Sequence, residues 1–229
     1  MPTTGWQVQP PDRGRPHAPM LAPKPSGVWK DLSERVWNDE PVTVRSSPAR
    51  LLFVAIRTAR LLLEPIAERH AEGMFRVLDD PSLYRYMRSE IPTSLARLRE
   101  RYRVLSQGVS PDKSQLWLNW IVSRRQDRTP IGSVQATIPL GLSHALMGWT
   151  IARAAQGHGY AREAVGAVCS HLIRNGVIEL RATIDVRNAP SISVAQSAGF
   201  ARETTAISEE VLDGVRGTDH HYVLRASSR

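Results

Sequence analysis

The sequence contains little cysteine and no long apolar run. Its one cysteine, Cys169, excludes an internal disulfide framework and fits a reducing compartment, so we expect a cytoplasmic protein. The longest uninterrupted apolar run, residues 51–56, is six residues long, whereas a membrane-spanning helix needs about 20. The first residues are polar and rich in proline, unlike a secretory signal. We therefore expect no membrane partner.

Lysine is also scarce, because only three of the 30 basic residues are lysine and the rest are arginine. The formal net charge is +8, but the arginines are mostly scattered along the chain. Solvated faces explain most of such a pattern, so we do not expect nucleic acid as a partner. A basic surface also favours an acidic partner, such as a phosphorylated cofactor.

The chain divides by composition into an extension and a domain. Nine of the 16 prolines lie in the first 50 residues, where hydrophobic periodicity is weak. We predict a flexible or loosely packed, proline-rich N-terminal extension over 1–56 and one folded domain over 57–226. The extension carries three tryptophans, Trp6, Trp29 and Trp37, that can dock on the domain or on a partner. A short surface helix over 26–37 is the alternative.

Hydrophobic periodicity within the domain alternates between the periods of strands and helices. It predicts strands at 60–65, 116–122, 134–138, 147–151 and 180–187, helices at 66–78, 95–105, 161–172 and 189–198, and a final hairpin through Asp213 and Gly214. Antiparallel strands come first, and a strand–helix–strand–helix unit follows. The order predicts a mixed α/β (α+β) fold.

A glycine motif, Gln156-Gly157-His158-Gly159-Tyr160-Ala161, lies between a predicted strand and a predicted helix. Two glycines let the chain turn tightly and expose successive N–H groups at the positive end of the helix. Such a site suits a pyrophosphate, although a plain glycine-rich loop remains the alternative. Two rival phosphate motifs are absent. A dinucleotide fingerprint needs glycine or alanine where Arg162 stands, and no Gly-Lys-Ser/Thr P-loop sequence occurs.

The motif matches the pattern Q/R-x-x-G-x-G/A, and with it the chain resembles the GNAT superfamily of acetyl-CoA-dependent N-acyltransferases. The resemblance covers roughly residues 57–224. It also rests on the first strand at 58–65, on the Gly148-Trp149-Thr150-Ile151 strand, and on Asn188-Ala189-Pro190-Ser191 followed by Gly199-Phe200. The terminal Asp213-Gly214 and Asp219-His220 pairs resemble the ribosomal-protein alanine/serine N-acetyltransferase branch. The resemblance implies a GNAT-like fold, with a mostly antiparallel central sheet flanked by helices.

The resemblance also implies a site for acetyl-CoA and no metal. Backbone N–H groups of 157–162 would bind the pyrophosphate, the strand edge at 149–151 would pair with the pantetheine amides, and Asn188 would bind the same arm. The implied cofactor residues are Trp149, Ile151, Gln156, Gly157, His158, Gly159, Tyr160, Ala161, Arg162 and Asn188. Considered alone, Asn188 is a helix N-cap followed by proline, and both roles can hold.

Two catalytic positions of the family are changed in this sequence. The tyrosine donor that many relatives carry is replaced by Ala195, and the glutamate that relatives often have is replaced by Leu146. Ser191 matches the serine of the ribosomal-protein branch, so we predict it as the proton donor to the leaving thiolate. The alternative for Ser191 is a local bond in the first helical turn. The base stays unassigned among Glu64, Glu90, Asp185 and water.

Other chemistry-bearing residues have simpler interpretations. We expect Cys169 to pack inside a helix, and His144 and His158 to be exposed loop residues. His220 and His221 are neighbours on a strand and face opposite ways, so they do not ligate one metal easily.

The predicted function is therefore the transfer of an acetyl group from acetyl-CoA to a primary amine by direct attack on the thioester. The acceptor is a protein N-terminus or a small molecule, and the basic stretch 81–107 favours a peptide or a neutral or acidic amine. The alternative is a catalytically idle acyl-CoA-binding domain with a tail that recruits a partner. The sequence is compatible with a monomer or a homodimer.

Overall fold

The computed structural model describes residues 49–87, 89, 91–140, 144–212 and 215–226, and at 49–50 and 204–217 it describes the backbone alone. Residues 1–48 of the extension, with its three tryptophans, lie outside the described residues, as do Glu90 and the turn at Asp213-Gly214. Among the described helices, none is long and apolar enough to cross a membrane.

Five α-helices and eight strands make up the described part of the chain. The helices are α1 (Ala49–Leu52), α2 (Ala71–Leu78), α3 (Leu95–Leu105), α4 (Tyr160–Arg174) and α5 (Ala189–Ser197). The strands are β1 (Ile56–Arg57), β2 (Leu61–Pro65), β3 (Gln115–Arg124), β4 (Pro130–Pro139), β5 (His144–Ile151), β6 (Glu179–Asp185), β7 (Ala201–Leu212) and β8 (Val215–Arg225).

The eight strands form one sheet in the order β1-β2-β3-β4-β5-β6-β8-β7. Every described pairing is antiparallel except β5 with β6, which run parallel. The predicted mixed fold with a mostly antiparallel sheet flanked by helices is confirmed. The central strands and helices also lie where the hydrophobic periodicity predicts them.

The first long helix departs from its prediction. The apolar spacing predicts a helix from Ile66, but α2 begins at Ala71 after a 3-10 helix at Glu68–His70. The backbone N–H of Ala67 donates to Nδ1 of His70 at 3.0 Å, which fixes this tighter turn. A further 3-10 helix at Pro81–Tyr86 begins where Asp80 accepts the N–H of Ser82 at 2.9 Å. Its apolar spacing is too short to be recognised in the sequence.

Strand β3 is buried on both faces of the sheet. Leu118 and Trp120 belong to the larger core that α4 covers, whereas Ile121 belongs to a smaller core under α2 and α3. We call these two sides of the sheet the α4 face and the α3 face. Because a strand alternates its side chains between faces, this two-sided burial explains why residues 116–122 are almost continuously apolar.

The segment before β2 is tied to the larger core. The indole Nε1 of Trp120 donates to the Val54 carbonyl at 2.9 Å, and His171 of α4 lies 3.0 Å from the Leu52 carbonyl. The Leu52 side chain itself is fully buried. The boundary between extension and domain at residues 56 and 57 stays a prediction, but packing into the core begins before it.

Candidate functional site

The glycine motif forms the loop between β5 and α4. Gly157 and Gly159 have φ angles of +78° and +77°, in the left-handed region that favours glycine, and Gly159 is the N-cap of α4. The side chain of Gln156 turns back to donate to the Ile151 carbonyl at 3.0 Å, which fixes the start of the loop. Local sequence thus determines this conformation.

Six successive amides of this loop have no acceptor among the described residues. The N–H of Gln156 bonds to Arg153 and that of Glu163 to Gly159, but no bond is made by the amides of 157–162. These N–H groups lie at the positive end of a helix of 15 residues. The arrangement can bind an anion with several oxygen atoms, such as a pyrophosphate.

The loop is also tied to the beginning of β2. Arg60 donates from Nη1 to the His158 carbonyl at 2.9 Å and from Nε to Glu163 of α4 at 2.6 Å. Its guanidinium lies 4.7 Å from the centre of the Tyr160 ring, which in turn stacks with the His158 ring at 5.8 Å. The sequence analysis places Arg60 only in a strand motif and misses this contact.

Strands β5 and β6 pair over three residues and then separate. The last described pair is Leu146 with Arg181, although β5 continues to Ile151 and β6 to Asp185. Each strand stays bound to its outer neighbour, β5 to β4 as far as Ile151 and β6 to β8 as far as Asp185. Among the described residues, none therefore pairs with the β6-facing edge of β5 along 147–151. An unpaired edge of this kind can bind an extended chain of amides.

Asn188 and Ser191 follow the end of β6, at the start of α5. Asn188 Oδ1 accepts the N–H of Ser191 at 3.2 Å, so Asn188 is the N-cap of α5. This capping role is the simpler of its two predicted roles. The Asn188 Nδ2 and the Ser191 hydroxyl make no hydrogen bond with described residues, so both can bind a ligand. Both side chains are half-buried.

The edge residues of β5 divide between the two faces. Trp149 and Ile151 pack against the core on the α4 face. Thr150, which alternates with them, points to the α3 face, where its hydroxyl lies 3.3 Å from the Met87 sulfur. The gap between β5 and β6 thus has the glycine loop at its α4 side and the segment around Met87 at the other.

Arg187 and Asp185 form a charged pair near Tyr86, the residue before Met87. Arg187 lies 5.9 Å from the Tyr86 ring centre and makes a bidentate ion pair with the buried Asp185, at 2.9 and 2.6 Å. Hydrogen bonds from Arg187 lower the pKa of Asp185 more than burial raises it. A carboxylate held in this way is a weak base, which counts against Asp185 as the proton acceptor.

The other candidate bases lie in different surroundings. Glu64 lies near Arg69 and His70, at 3.4 and 3.8 Å, on β2, three strands from β5. Ala195, which stands at the position of the tyrosine proton donor of relatives and is not a candidate base, is fully buried. No base is therefore assigned, and a water chain remains compatible with the geometry.

Neither Cys169 nor the pair His220 and His221 has surroundings that suit catalysis or metal binding. Burial raises the pKa of the Cys169 thiol to about 12, so it is not a nucleophile at neutral pH. His220 lies 2.7 Å from Arg202, and His221 lies 3.3 Å from Thr183. Within the described ranges, no group of histidine, cysteine, aspartate or glutamate side chains is arranged to hold a metal.

Known structures share this fold. An acetyltransferase of Salmonella typhimurium that modifies the N-terminal serine of ribosomal protein L7/L12 is similar, with a TM-score of 0.64, 18% identity, and coverage of 76% of this chain and 99% of that one. Spermidine N-acetyltransferase of Vibrio cholerae, solved with CoA and spermine, has a TM-score of 0.61 and 18% identity, and the match covers 73% of this chain and 96% of that one. A GNAT-family acetyltransferase of Bacillus anthracis has a TM-score of 0.62 and 17% identity, and the match covers 75% of this chain and 98% of that one.

At these identities the structural likeness shows the fold alone, and no curated protein matches the sequence. The sequence itself matches the acetyltransferase (GNAT) domain over residues 60–201, which is more than half of the chain. The match begins at Arg60 and contains the glycine loop, the β5 edge, Asn188 and Ser191. The protein therefore belongs to the GNAT acetyltransferase family.

Proposed function

We propose that this protein is an acetyl-CoA-dependent N-acetyltransferase that acts on a primary amine. The observation that carries the proposal is the continuity between the unpaired β5 edge at 147–151 and the unpaired amides at 157–162. Acetyl-CoA has the matching sequence of groups, because two amides in its pantetheine arm precede a pyrophosphate. The amides of the loop bind the phosphates, and the β5 edge pairs with the arm as an added strand does.

Asn188 binds the same arm from the β6 side. Its Oδ1 is used by the helix cap, whereas Nδ2 is available to donate to a pantetheine carbonyl. One side chain can therefore begin α5 and hold the cofactor at once. With the arm bound in this way, the thioester would lie near the first turn of α5, which contains Ser191.

Transfer occurs by direct attack of the neutral amine on the thioester carbonyl. A C–N bond forms as the C–S bond breaks, and the amine loses its proton to water or to a base. A backbone N–H of the β5 edge near residues 149–151 stabilises the oxyanion. The Ser191 hydroxyl, which makes no hydrogen bond with described residues, passes its proton to the departing thiolate as it takes one up from water, which carries the proton that the amine loses, so that Ser191 ends the turnover neutral. No step requires a metal.

The acceptor approaches from the α3 face, because the glycine loop and α4 occupy the other side. Tyr86, Met87 and Thr150 form the wall that it meets. Six arginines and two glutamates occur in residues 81–107, and Arg85 pairs with no acidic group among the described residues. Because a polyamine would be repelled by such a wall, a peptide N-terminus or a neutral or acidic small amine is the preferred acceptor.

Mass spectrometry of amine mixtures incubated with the protein and isotopically labelled acetyl-CoA tests the proposal. The mixture contains peptides with free N-terminal serine or alanine, spermidine and an aminoglycoside. The same peptides with a blocked N-terminus are the matched control. We expect label on the free N-terminal peptides and none on the blocked ones.

Three other outcomes would change the conclusion. Dominant acetylation of spermidine or of the aminoglycoside would contradict the acceptor preference. Binding of acetyl-CoA without acetylation of any amine would support the idle acyl-CoA-binding alternative, which the absent tyrosine and glutamate at Ala195 and Leu146 motivate. Absence of acetyl-CoA binding would overturn the proposal as a whole.

A further inference from the structure

A carboxylate lies in the same helical turn as the unpaired amides. Glu163 is in the first turn of α4, and its side chain is only 18% exposed. It accepts hydrogen bonds from the Thr58 hydroxyl at 2.5 Å and from the Arg60 backbone N–H at 2.9 Å. The Arg60 side chain adds a third bond from Nε at 2.6 Å. All three donors belong to Thr58 and Arg60, in the segment just before β2.

This carboxylate is ionised at neutral pH. Burial raises the pKa of Glu163, but the hydrogen bonds from Thr58 and Arg60 and the charge of Arg60 together hold it below its usual value. An anion in the first turn of a helix is stabilised by the helix dipole. It also repels any phosphate that binds to the amides of the same turn, so the carboxylate and a phosphate ligand oppose one another.

The Arg60 guanidinium contacts both the Glu163 carboxylate and the glycine loop at which a phosphate would bind. Its Nη1 bonds to the His158 carbonyl, and its central carbon lies over the Tyr160 ring. Its Nη2 bonds to no described acceptor and lies 3.5 Å from the place that a Cβ on residue 159 would take. The positive charge is therefore held beside both Glu163 and the loop. An arginine fixed by several partners is a strong neutralising group because its fork geometry satisfies them together.

We propose that Arg60 is a positioning residue of the cofactor-phosphate site, which neutralises Glu163 so that the glycine loop accepts phosphates. The inference rests on the proposed use of acetyl-CoA. It implies that Arg60 is needed for donors that carry phosphates and is not needed for a donor that lacks them. It also implies that the cost of losing Arg60 comes from the Glu163 charge.

Calorimetric titration with CoA tests these implications on Arg60→Ala, Arg60→Lys, Glu163→Gln and the double variant Arg60→Ala/Glu163→Gln. Arg103→Ala is the matched control, because Arg103 forms a similar ion pair with Glu100 at 2.6 Å on the exposed surface of α3. Steady-state kinetics with S-acetylpantetheine, which lacks the phosphates, measure whether the site is otherwise intact.

We expect Arg60→Ala to weaken CoA binding about tenfold, or about 1.4 kcal/mol. The double variant should bind CoA at least about three times more tightly than Arg60→Ala. The CoA affinity of Arg60→Lys should lie between those of the wild type and Arg60→Ala. The loss in Arg60→Ala should shrink in 0.5 M salt because screening weakens the repulsion, with a Debye length of about 10 Å already at 0.1 M. The activity of Arg60→Ala with S-acetylpantetheine should stay within twofold of wild type. The CoA affinity of the control variant Arg103→Ala should also stay within twofold of wild type.

Two results would overturn the inference while the proposed function stands. One is CoA binding by Arg60→Ala within twofold of wild type. The other is an equal loss with CoA and with S-acetylpantetheine that the double variant does not relieve, because this would assign Arg60 a purely structural role. A wild-type protein that binds no CoA would instead refute the proposed function, and the inference with it.

Discussion

Asn188 Oδ1 accepts the backbone N–H of Ser191 at 3.2 Å, so the residue that follows the end of β6 is also the N-cap of α5. The capping bond uses the oxygen of the amide and leaves its nitrogen unbonded among the described residues. The cap and the proposed contact with the cofactor would therefore use different atoms of one side chain, and substitutions can separate them.

Asn188→Asp should keep the cap and lose the donor. Asparagine and aspartate are about equally good N-caps, so the free energy of unfolding should stay within about 0.5 kcal/mol of wild type. The affinity for acetyl-CoA should fall roughly tenfold, because the carboxylate can no longer donate to the pantetheine carbonyl and leaves it unpaired. Urea denaturation and calorimetric titration measure the two quantities.

Asn188→Ala is the companion variant, since it removes the cap as well. It should lose about 1 kcal/mol of stability and a similar factor in affinity. If Asn188→Asp bound acetyl-CoA as well as the wild type, Asn188 would be a cap only.

Ser191→Ala should lower kcat with little change in the affinity for acetyl-CoA. The hydroxyl makes no hydrogen bond with described residues, and its loss would remove the proposed proton donor to the thiolate. We expect a decrease of about tenfold, below the usual range for general acid catalysis, because a thiol with a pKa of about 8.5 leaves readily. Ser193→Ala, at an exposed position on the same helix, is the control. An unchanged kcat in Ser191→Ala would disprove the assignment.

The parts of the site that could be predicted from sequence are those with local causes. The loop conformation follows from two glycines that adopt positive φ angles, and the α5 cap follows from asparagine before alanine and proline. Arg60 and Glu163 are 103 residues apart, and Met87 and Thr150 are 63 apart. No periodicity connects such pairs, because they meet only when the sheet brings β2 and β5 to α4 and the 3-10 segment.

Gly157→Ala tests the loop conformation without a steric clash. A Cβ at residue 157 would meet no atom within 4 Å, so the cost comes from the φ of +78° alone, about 1–2 kcal/mol for a residue that is not glycine. The loop should relax and misalign its amides, with a loss of acetyl-CoA affinity of about tenfold or more. Gly176→Ala is the control, because Gly176 also has a positive φ and open space but lies at the far end of α4.

Both glycine variants should lose similar stability in urea denaturation, and only Gly157→Ala should lose affinity. An equal affinity in the two variants would mean that the turn at Gly157 does not determine cofactor binding. Calorimetric titration with acetyl-CoA provides the comparison.

His70 should make the stability of the protein fall in mild acid. Burial lowers the pKa of His70 below 6.5, the Arg69 charge lowers it further, and Glu64 opposes both. Its Nδ1 accepts the Ala67 N–H at 3.0 Å, so the proton of the neutral ring lies on the buried Nε2, which has no hydrogen-bond partner among the described residues. Protonation would place a second proton on the accepting Nδ1 and break this bond.

The sign of the effect follows from proton linkage. Because the pKa is lower in the folded state than in the unfolded state, the unfolded chain binds more protons as the pH falls through this range. The contribution of His70 is therefore complete above the unfolded pKa of about 6.5 and is lost as the pH falls toward the folded value. His70→Asn keeps an acceptor for Ala67 without titrating. Urea unfolding at pH 7.5 and 5.5 should show a larger loss of stability in the wild type than in His70→Asn, since the carboxylates titrate alike in both. Equal losses would show that the histidine does not contribute to the acid sensitivity.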